Sequence, residues 1–287
     1  MAGGAELKTT NTTTITVVCE NSVGRAIPVV GEHGFACLIE RGITQILVDT
    51  GQGFGIEQNM RVLHKDLRVL DGVILSHGHY DHVGGLDKVL AHTGGIDVFA
   101  HPEIFVPRYS CSSHALRFVG IPQRRELLEA LGATFRWTPQ FCQIAPGIHV
   151  TGQVPRRTAY EQGAAELVVP DAEGGFQPDP FNDDMGVVVE TSHGLAVILG
   201  CAHSGMINIL LQIREHFPAQ KIHAVLGGTH LGPASAQQFE ATMQDLEQFD
   251  VQHIGVSHCT GQNRAAMMRE RVGQKFFFGS VGAVLQL

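Results

Sequence analysis

Three early stretches, TITVVCE, GFACLIE and TQILVDT, are apolar and rich in β-branched residues. That pattern predicts strands of one sheet. EQNMRVLHKDL changes to helical spacing, and DGVILS returns to an apolar strand. GLDKVLAHT then reads as a helix, IDVFAH as a strand, and PQRRELLEALG as a helix closed by Gly132. A second set follows. GIHVTGQV, GVVVET, LAVILG, KIHAVLGG and VQHIGVS read as strands. MINILLQIREHF, ASAQQFEATMQDLEQF and NRAAMMRERVG read as helices, and KFFFGS and VGAVLQL as end strands. Two successive β-rich halves with strand–helix units predict two sheets packed together, helices outside.

Two segments lack clear periodicity. Residues 105–122 carry Arg108, Tyr109, His114 and Arg117; residues 154–184 carry Arg156 and Arg157 among many Pro and Gly. Loops this long are either lids and binding loops or solvated excursions. Residues 1–13 read as a Thr-rich flexible tail, and 14–287 as a single domain.

Composition narrows the function classes. The net charge is −8, from 20 basic and 28 acidic residues, with no long run of either sign. A nucleic-acid partner is not expected, because phosphate binding needs a basic face. A local pocket for a small anion stays open. The N-terminal MAGGAELKTTNTTT lacks the apolar core of a signal peptide, and no apolar run approaches the ~18 residues of a membrane span. The six cysteines form no CxxC pair, which suits reduced thiols and a cytoplasmic location.

The 16 histidines are the unusual feature. ILSHGHYDHVGGL packs His77, His79, Asp81 and His82 just where a buried strand ends. Imidazole nitrogens and carboxylate oxygens suit Zn, Mn or Fe, so one or two divalent ions are expected. Strand ends recur in GCAHSG with Cys201 and His203, in GGTHLG with His230, and in VSHCTG with His258 and Cys259.

SHGHYDHVGG, together with LVDTG around Asp49, resembles the metallo-β-lactamase superfamily. The resemblance implies an αββα sandwich, mixed α/β in class, with two mixed sheets flanked by helices. It implies that His77 and His79 help hold one metal, Asp81 and His82 a second, and that Asp49 orients a histidine ligand. EHGFACLIE, TGQVPRRTAYE, PDPFNDDMGVVVE, GCAHSGMINIL, GGTHL and SHCTG resemble one branch. That branch includes the dihydropterin–aminobenzene ribofuranosyl phosphate synthases, which join a dihydropterin to an aminobenzene ribofuranosyl phosphate.

The chain departs from the superfamily's hydrolase pattern in two places. NDDMG stands where a third histidine motif is usual, and GC stands for the usual GD with its bridging aspartate. His203 is the expected replacement ligand, with Cys201, Asp183 and Asp184 as alternatives, and His258 closes the last site. Asp81 and His230 are the candidate catalytic residues; His230 either touches substrate or caps a strand end. His33 has the same two readings as His230, and His101 is expected to pack near the site without binding metal. Arg108, Arg117 and Arg156 are candidates for an anionic, phosphorylated or heterocyclic substrate, since a guanidinium fork suits phosphate. The resemblance implies a metal-dependent transferase. A hydrolase of an ester, lactone or phosphodiester and a non-catalytic metal-binding protein are the alternatives.

Overall fold

The computed structural model describes residues 12–112 and 115–287. The chain begins with β1 (Thr13–Cys19), β2 (Ala36–Arg41), β3 (Thr44–Val48), α1 (Ile56–Val62) and β4 (Gly72–Ile74). Next come α2 (Tyr80–Val83), α3 (Leu86–Thr93), β5 (Ile96–Ala100), β6 (Tyr109–Ser112) and β7 (Ala115–Phe118). They are followed by α4 (Arg125–Ala130), β8 (Ala133–Trp137), β9 (Cys142–Ala145), β10 (Ile148–Val150), β11 (Leu167–Pro170) and β12 (Phe176–Pro178). The remainder is β13 (Gly186–Thr191), β14 (Gly194–Leu199), α5 (Met206–His216), β15 (Ile222–Gly228), α6 (Ala236–Glu247) and β16 (His253–Ser257). It ends with α7 (Gln262–Val272), β17 (Phe276–Phe278) and β18 (Val284–Gln286).

Two seven-stranded mixed sheets form, in the orders β18-β1-β2-β3-β4-β5-β8 and β17-β16-β15-β14-β13-β10-β9. Strand alternation explains how they stack. In β2, Cys37 and Ile39 face the other sheet, whereas Leu38 faces the helices. Between the sheets, Ile39, Ile46 and Ile74 share a core with Val187, Ile198 and Leu226. Outside the first sheet, Leu38, Leu47 and Val73 pack with Ile56, Met60 and Leu90. Outside the second, Val188, Val197 and Val225 pack with Ile209, Met243 and Met268. The layers are therefore helix, sheet, sheet, helix, and each apolar stripe has a partner.

Topology decides where chemistry gathers. β3 and β4 are parallel, and their carboxyl ends lead to Asp49 and His77. β14, β15 and β16 are parallel, and theirs lead to Cys201, His230 and His258. The loops beyond these ends meet at one edge of the sandwich, where rings from the two halves touch.

Three expectations are corrected. The segments without periodicity are not plain loops: β6, β7, β11 and β12 build a four-stranded third sheet. All four residues of β7 are exposed, so no buried face imprints alternation on the sequence. The short strands β8 and β9 also lack a clear pattern, being only partly buried. Finally, Thr13 belongs to β1, its N–H donating to the Leu287 carbonyl, so the tail is shorter than expected there. The rest of that tail, as far as residue 11, and His114 lie outside the described residues. Among the described residues, no helix is long and apolar enough to cross a membrane.

Candidate metal centre

β3 stops at Val48, and Asp49 turns to φ 58°, a left-handed conformation that Asp adopts more readily than most residues. Its carboxylate organises the loop after β4. Ser76 N–H donates to Asp49 Oδ1 and Ser76 Oγ to Oδ2, both at 2.7 Å. His82 Nδ1 also donates to Oδ2, at 2.7 Å. That contact selects the tautomer whose Nε2 carries a lone pair. Ser76 Oγ, having given its proton to Asp49, accepts from His77 Nδ1 at 2.9 Å, which leaves His77 Nε2 an acceptor 3.0 Å from His79 Nδ1.

Gly78 lets the His77–His79 turn lie flat. A Cβ there would strike the Ile104 carbonyl and come within 2.5 Å of the Arg108 guanidinium. The Gly78 N–H is held by Asp183 Oδ2 at 2.8 Å. α2 begins directly after His79 and places Asp81 and His82 in its single turn.

The second sheet supplies the facing wall. Cys201 Sγ lies 3.1 Å from His82 Nε2. His203 stacks on Phe181 with centroids 4.0 Å apart and rings within 4° of parallel. Its ring is 4.8 Å from that of His77 and 4.9 Å from that of His79. His258 donates through Nδ1 to Asn21 Oδ1 at 2.8 Å and through its backbone N–H to Glu20 Oε1 at 2.7 Å. Its Nε2 lies 3.3 Å from Asp81 Oδ2. His33 Nε2 reaches the same oxygen at 3.1 Å. Donor atoms lie within 4.8 Å of one another in each of the sets His77–His79–His203, His77–His82–Cys201 and His33–Asp81–His258.

Electrostatics suit a cation. Burial pushes His77, His79 and His203 down, His79 to about 3, so these imidazoles stay neutral with lone pairs available. Burial also works against charge on His82, but Asp49 outweighs it and raises that ring to about 9. Proton and cation therefore compete for His82 Nε2. Burial opposes ionisation of Asp81, yet bonds from His258 and His33 keep its carboxyl well below the usual range. His79 Nε2 and both ring nitrogens of His203 are buried without a hydrogen-bond partner. Buried, unpartnered nitrogens grouped with His77 within 4.8 Å fit a divalent metal, since bare acceptors would otherwise repel one another.

The strain is local. Seven described non-glycine residues have positive φ, and five of them, Asp49, Phe181, Ala202, His230 and His258, belong to this wall or adjoin it.

The structure brings together His77, His79, Asp81, His82, Cys201, His203 and His258, with Asp49 behind them. His230 sits beside His203, centroids 4.3 Å apart. Two expected residues point elsewhere. Asp183 uses Oδ2 on Gly78 N–H and Oδ1 on Arg108 at 2.6 Å, so it anchors the turn and offers no free oxygen to a metal. Arg108 is 2% exposed and pairs with Asp179 and Asp183, so its guanidinium is not presented to a substrate. Asp184 accepts from Ser204 through Oδ2 and keeps a buried, unpartnered Oδ1. Arg117 lies exposed over the Tyr80 ring at 5.6 Å. Arg156 Nη1 donates to the His203 carbonyl at 2.7 Å. Arg157 pairs with Glu215. His101 accepts from Glu103 N–H and caps a short turn.

Sequence reasoning passed over Ser76, Asn21, Glu20 and Phe181. Ser76, Glu20 and Asn21 directly follow apolar strands, a placement that could have flagged them. Phe181 had no such signal. A cavity of about 810 Å³ lies elsewhere, against Arg25, Phe277, Phe278 and Val284.

Comparison with known proteins agrees with this architecture. A model described as a β-lactamase superfamily domain matches residues 44–125. The chain is 28% identical to the 7,8-dihydropterin-6-methyl-4-(β-D-ribofuranosyl)-aminobenzene-5′-phosphate synthase of Methanocaldococcus jannaschii, across 91% of this chain and 92% of that protein. It is 30% identical to an uncharacterized protein of the same organism, across 88% of this chain and 93% of the relative. A crystal structure of a metal-dependent hydrolase of the β-lactamase superfamily superposes with a TM-score of 0.81 at 28% identity, covering 96% of this chain and 99% of the other. With the αββα layers and the histidine-lined strand ends, these likenesses make the chain a member of the metallo-β-lactamase superfamily.

Proposed function

We propose that this chain is a metal-dependent enzyme with a synthase reaction on a dihydropterin and an aminobenzene ribofuranosyl phosphate. The observation that supports the enzyme reading is the grouping of His77, His79 and His203 within 4.8 Å, with unpartnered nitrogens on His79 and His203, beside the sets that include Cys201 and Asp81. The choice of reaction is supported by the likeness to the M. jannaschii synthase along nearly the whole chain.

In this reading His77, His79 and His203 hold one cation, and Asp81, His82 and His258 a second, with Cys201 beside His82. Zn, Mn and Fe all suit the imidazole and carboxylate donors. A bound divalent ion supplies Lewis-acid charge to a phosphate or carbonyl oxygen. The chain does the rest. Asp49 and Asn21 aim the His82 and His258 nitrogens. Phe181 covers one face of His203 and keeps water from it. His230, its ring nitrogens unpartnered, is assigned to the substrate, and Asp81 to the side of the reacting atoms. Arg117 is assigned to the substrate's phosphate, where a planar fork gives two parallel contacts, whereas both Nη atoms of Arg156 already donate to the His203 and Pro180 carbonyls.

A second reading, hydrolysis of a small ester, lactone or phosphodiester, is favoured by the likeness to the metal-dependent hydrolase. One experiment separates them. The purified chain is assayed for metal, then given a dihydropterin pyrophosphate with the aminobenzene ribofuranosyl phosphate, a generic phosphodiester, and a lactone. The synthase reading expects a coupled product, lost along with metal in His77→Ala and His82→Ala. Cleavage of the phosphodiester or lactone without coupling would replace it with the hydrolase reading. Bound metal with no turnover of any compound would leave only a metal-binding protein.

A further inference from the structure

Three adjacent parallel strands each end in one soft or borderline donor. Cys201 follows β14, His230 follows β15, and Cys259 lies in the short turn after β16. Their sulfurs and a ring nitrogen lie within 4.8 Å of one another. Both ring nitrogens of His230 are buried without a partner. The backbone holds the cluster from two sides: His230 N–H donates to Cys259 Sγ at 3.2 Å, and Cys259 Sγ reaches the Cys201 carbonyl at 3.5 Å. Gly228 keeps the space open, since a Cβ there would sit 2.6 Å from Cys259 Sγ. His230 itself is held at φ 50°, a conformation that costs energy in a residue other than Gly, Asn or Asp.

We infer that Cys201, His230 and Cys259 form a second, thiolate-rich cation site for a soft divalent ion such as zinc, adjoining the histidine site through Cys201. Two sulfurs and an imidazole select softer ions than the imidazole–carboxylate sets do. A three-donor protein site leaves a fourth tetrahedral position for water or a substrate atom. Cys201 faces both positions, being 3.1 Å from His82 Nε2, so its sulfur can bridge them. The inference stands on these three residues and does not depend on which reaction the enzyme performs; it gives one ring nitrogen of His230 to the cation and leaves the other for the substrate contact proposed above.

Cobalt(II) titration of the full chain tests it, because thiolate-to-cobalt charge-transfer absorption reports sulfur ligation alone. Cys259→Ser is expected to remove about half of that absorption and to weaken one cobalt by roughly tenfold or more, two sulfurs having become one. His79→Ala, which alters only the histidine set, is expected to keep the band while losing cobalt elsewhere. Full charge-transfer intensity in Cys259→Ser, or a band lost in His79→Ala, would overturn the site. Failure of the histidine reading alone would appear as unchanged metal content in His79→Ala with the band still sensitive to Cys259→Ser. Should Cys259→Ser fold poorly, cadmium-113 NMR of the unsubstituted chain decides. A resonance shifted by two thiolates supports the site, and one shifted by a single sulfur or none overturns it.

Discussion

Asp49 accepts three hydrogen bonds, from Ser76 N–H, Ser76 Oγ and His82 Nδ1, and through them aims two imidazoles. Orientation of this kind decides whether a histidine is a ligand or a core residue. His79 shows the matching cost. Burial holds its ring at about 3, against 6.5 for the ordinary group. Between those values the unfolded chain binds a proton that the folded chain refuses. The neutral ring's share of stability is therefore complete above pH 6.5 and lost as pH falls toward 3. His79→Ala removes that dependence. With chelator present, the stability difference between parent and variant should move in the variant's favour as pH drops from about 7 to about 4. Guanidinium unfolding at several pH values measures this. A difference that stays constant would mean the ring is not held neutral in the fold.

At the scale of elements, the turn between β4 and α2 depends on a buried chain of ionic contacts. Asp183 holds Gly78 N–H and pairs with Arg108, which pairs in turn with Asp179. Arg108→Ala leaves two buried carboxylates without their cation and is expected to cost about 3–5 kcal/mol. Arg117→Ala, on exposed β7, should change stability by no more than about 0.5 kcal/mol. If Arg117 binds the substrate's phosphate, its loss should instead weaken substrate binding at unchanged metal content. Denaturant midpoints and ligand titration of the two variants separate a structural arginine from a binding one. An Arg108→Ala chain as stable as its parent would contradict the buried pairing. Sequence pattern could not make the distinction, because both arginines lie in stretches without periodicity.

Across the whole molecule, three apolar clusters on the two sheets carry the fold, and the residues proposed to hold metal stand on loops and short helical turns at one edge. Chelation is therefore expected to preserve secondary structure by circular dichroism while lowering Tm. A thousandfold excess of zinc over its Kd adds about 4 kcal/mol, which in a chain of this size is a Tm rise on the order of 10 °C. A chain that lost its sheets on chelation would show that the metal, and not the apolar clusters, holds the sandwich. The chain's end matters too. β18 returns to the first sheet and pairs with β1, Leu285 opposite Ile15, so residues far apart in sequence close one sheet.

Sequence by itself determined much of this protein. Alternating apolar runs made the long strands legible, because each buries at least one face. The helical spacing of residues 206–217 and 234–249 revealed α5 and α6 for the same reason. Clustering of His77, His79, Asp81 and His82 marked the candidate site, since four donors in six positions need only a strand end to converge. Tertiary structure decided what depends on distant partners. Nothing local tells that Asp183 faces Gly78 while Asp184 keeps an oxygen unpartnered, or that Arg108 is buried while Arg117 lies open. Those outcomes follow from which neighbour reaches the side chain first across the fold. The same holds for Cys259, whose sulfur meets Cys201 and His230 only because β14, β15 and β16 lie side by side and end together.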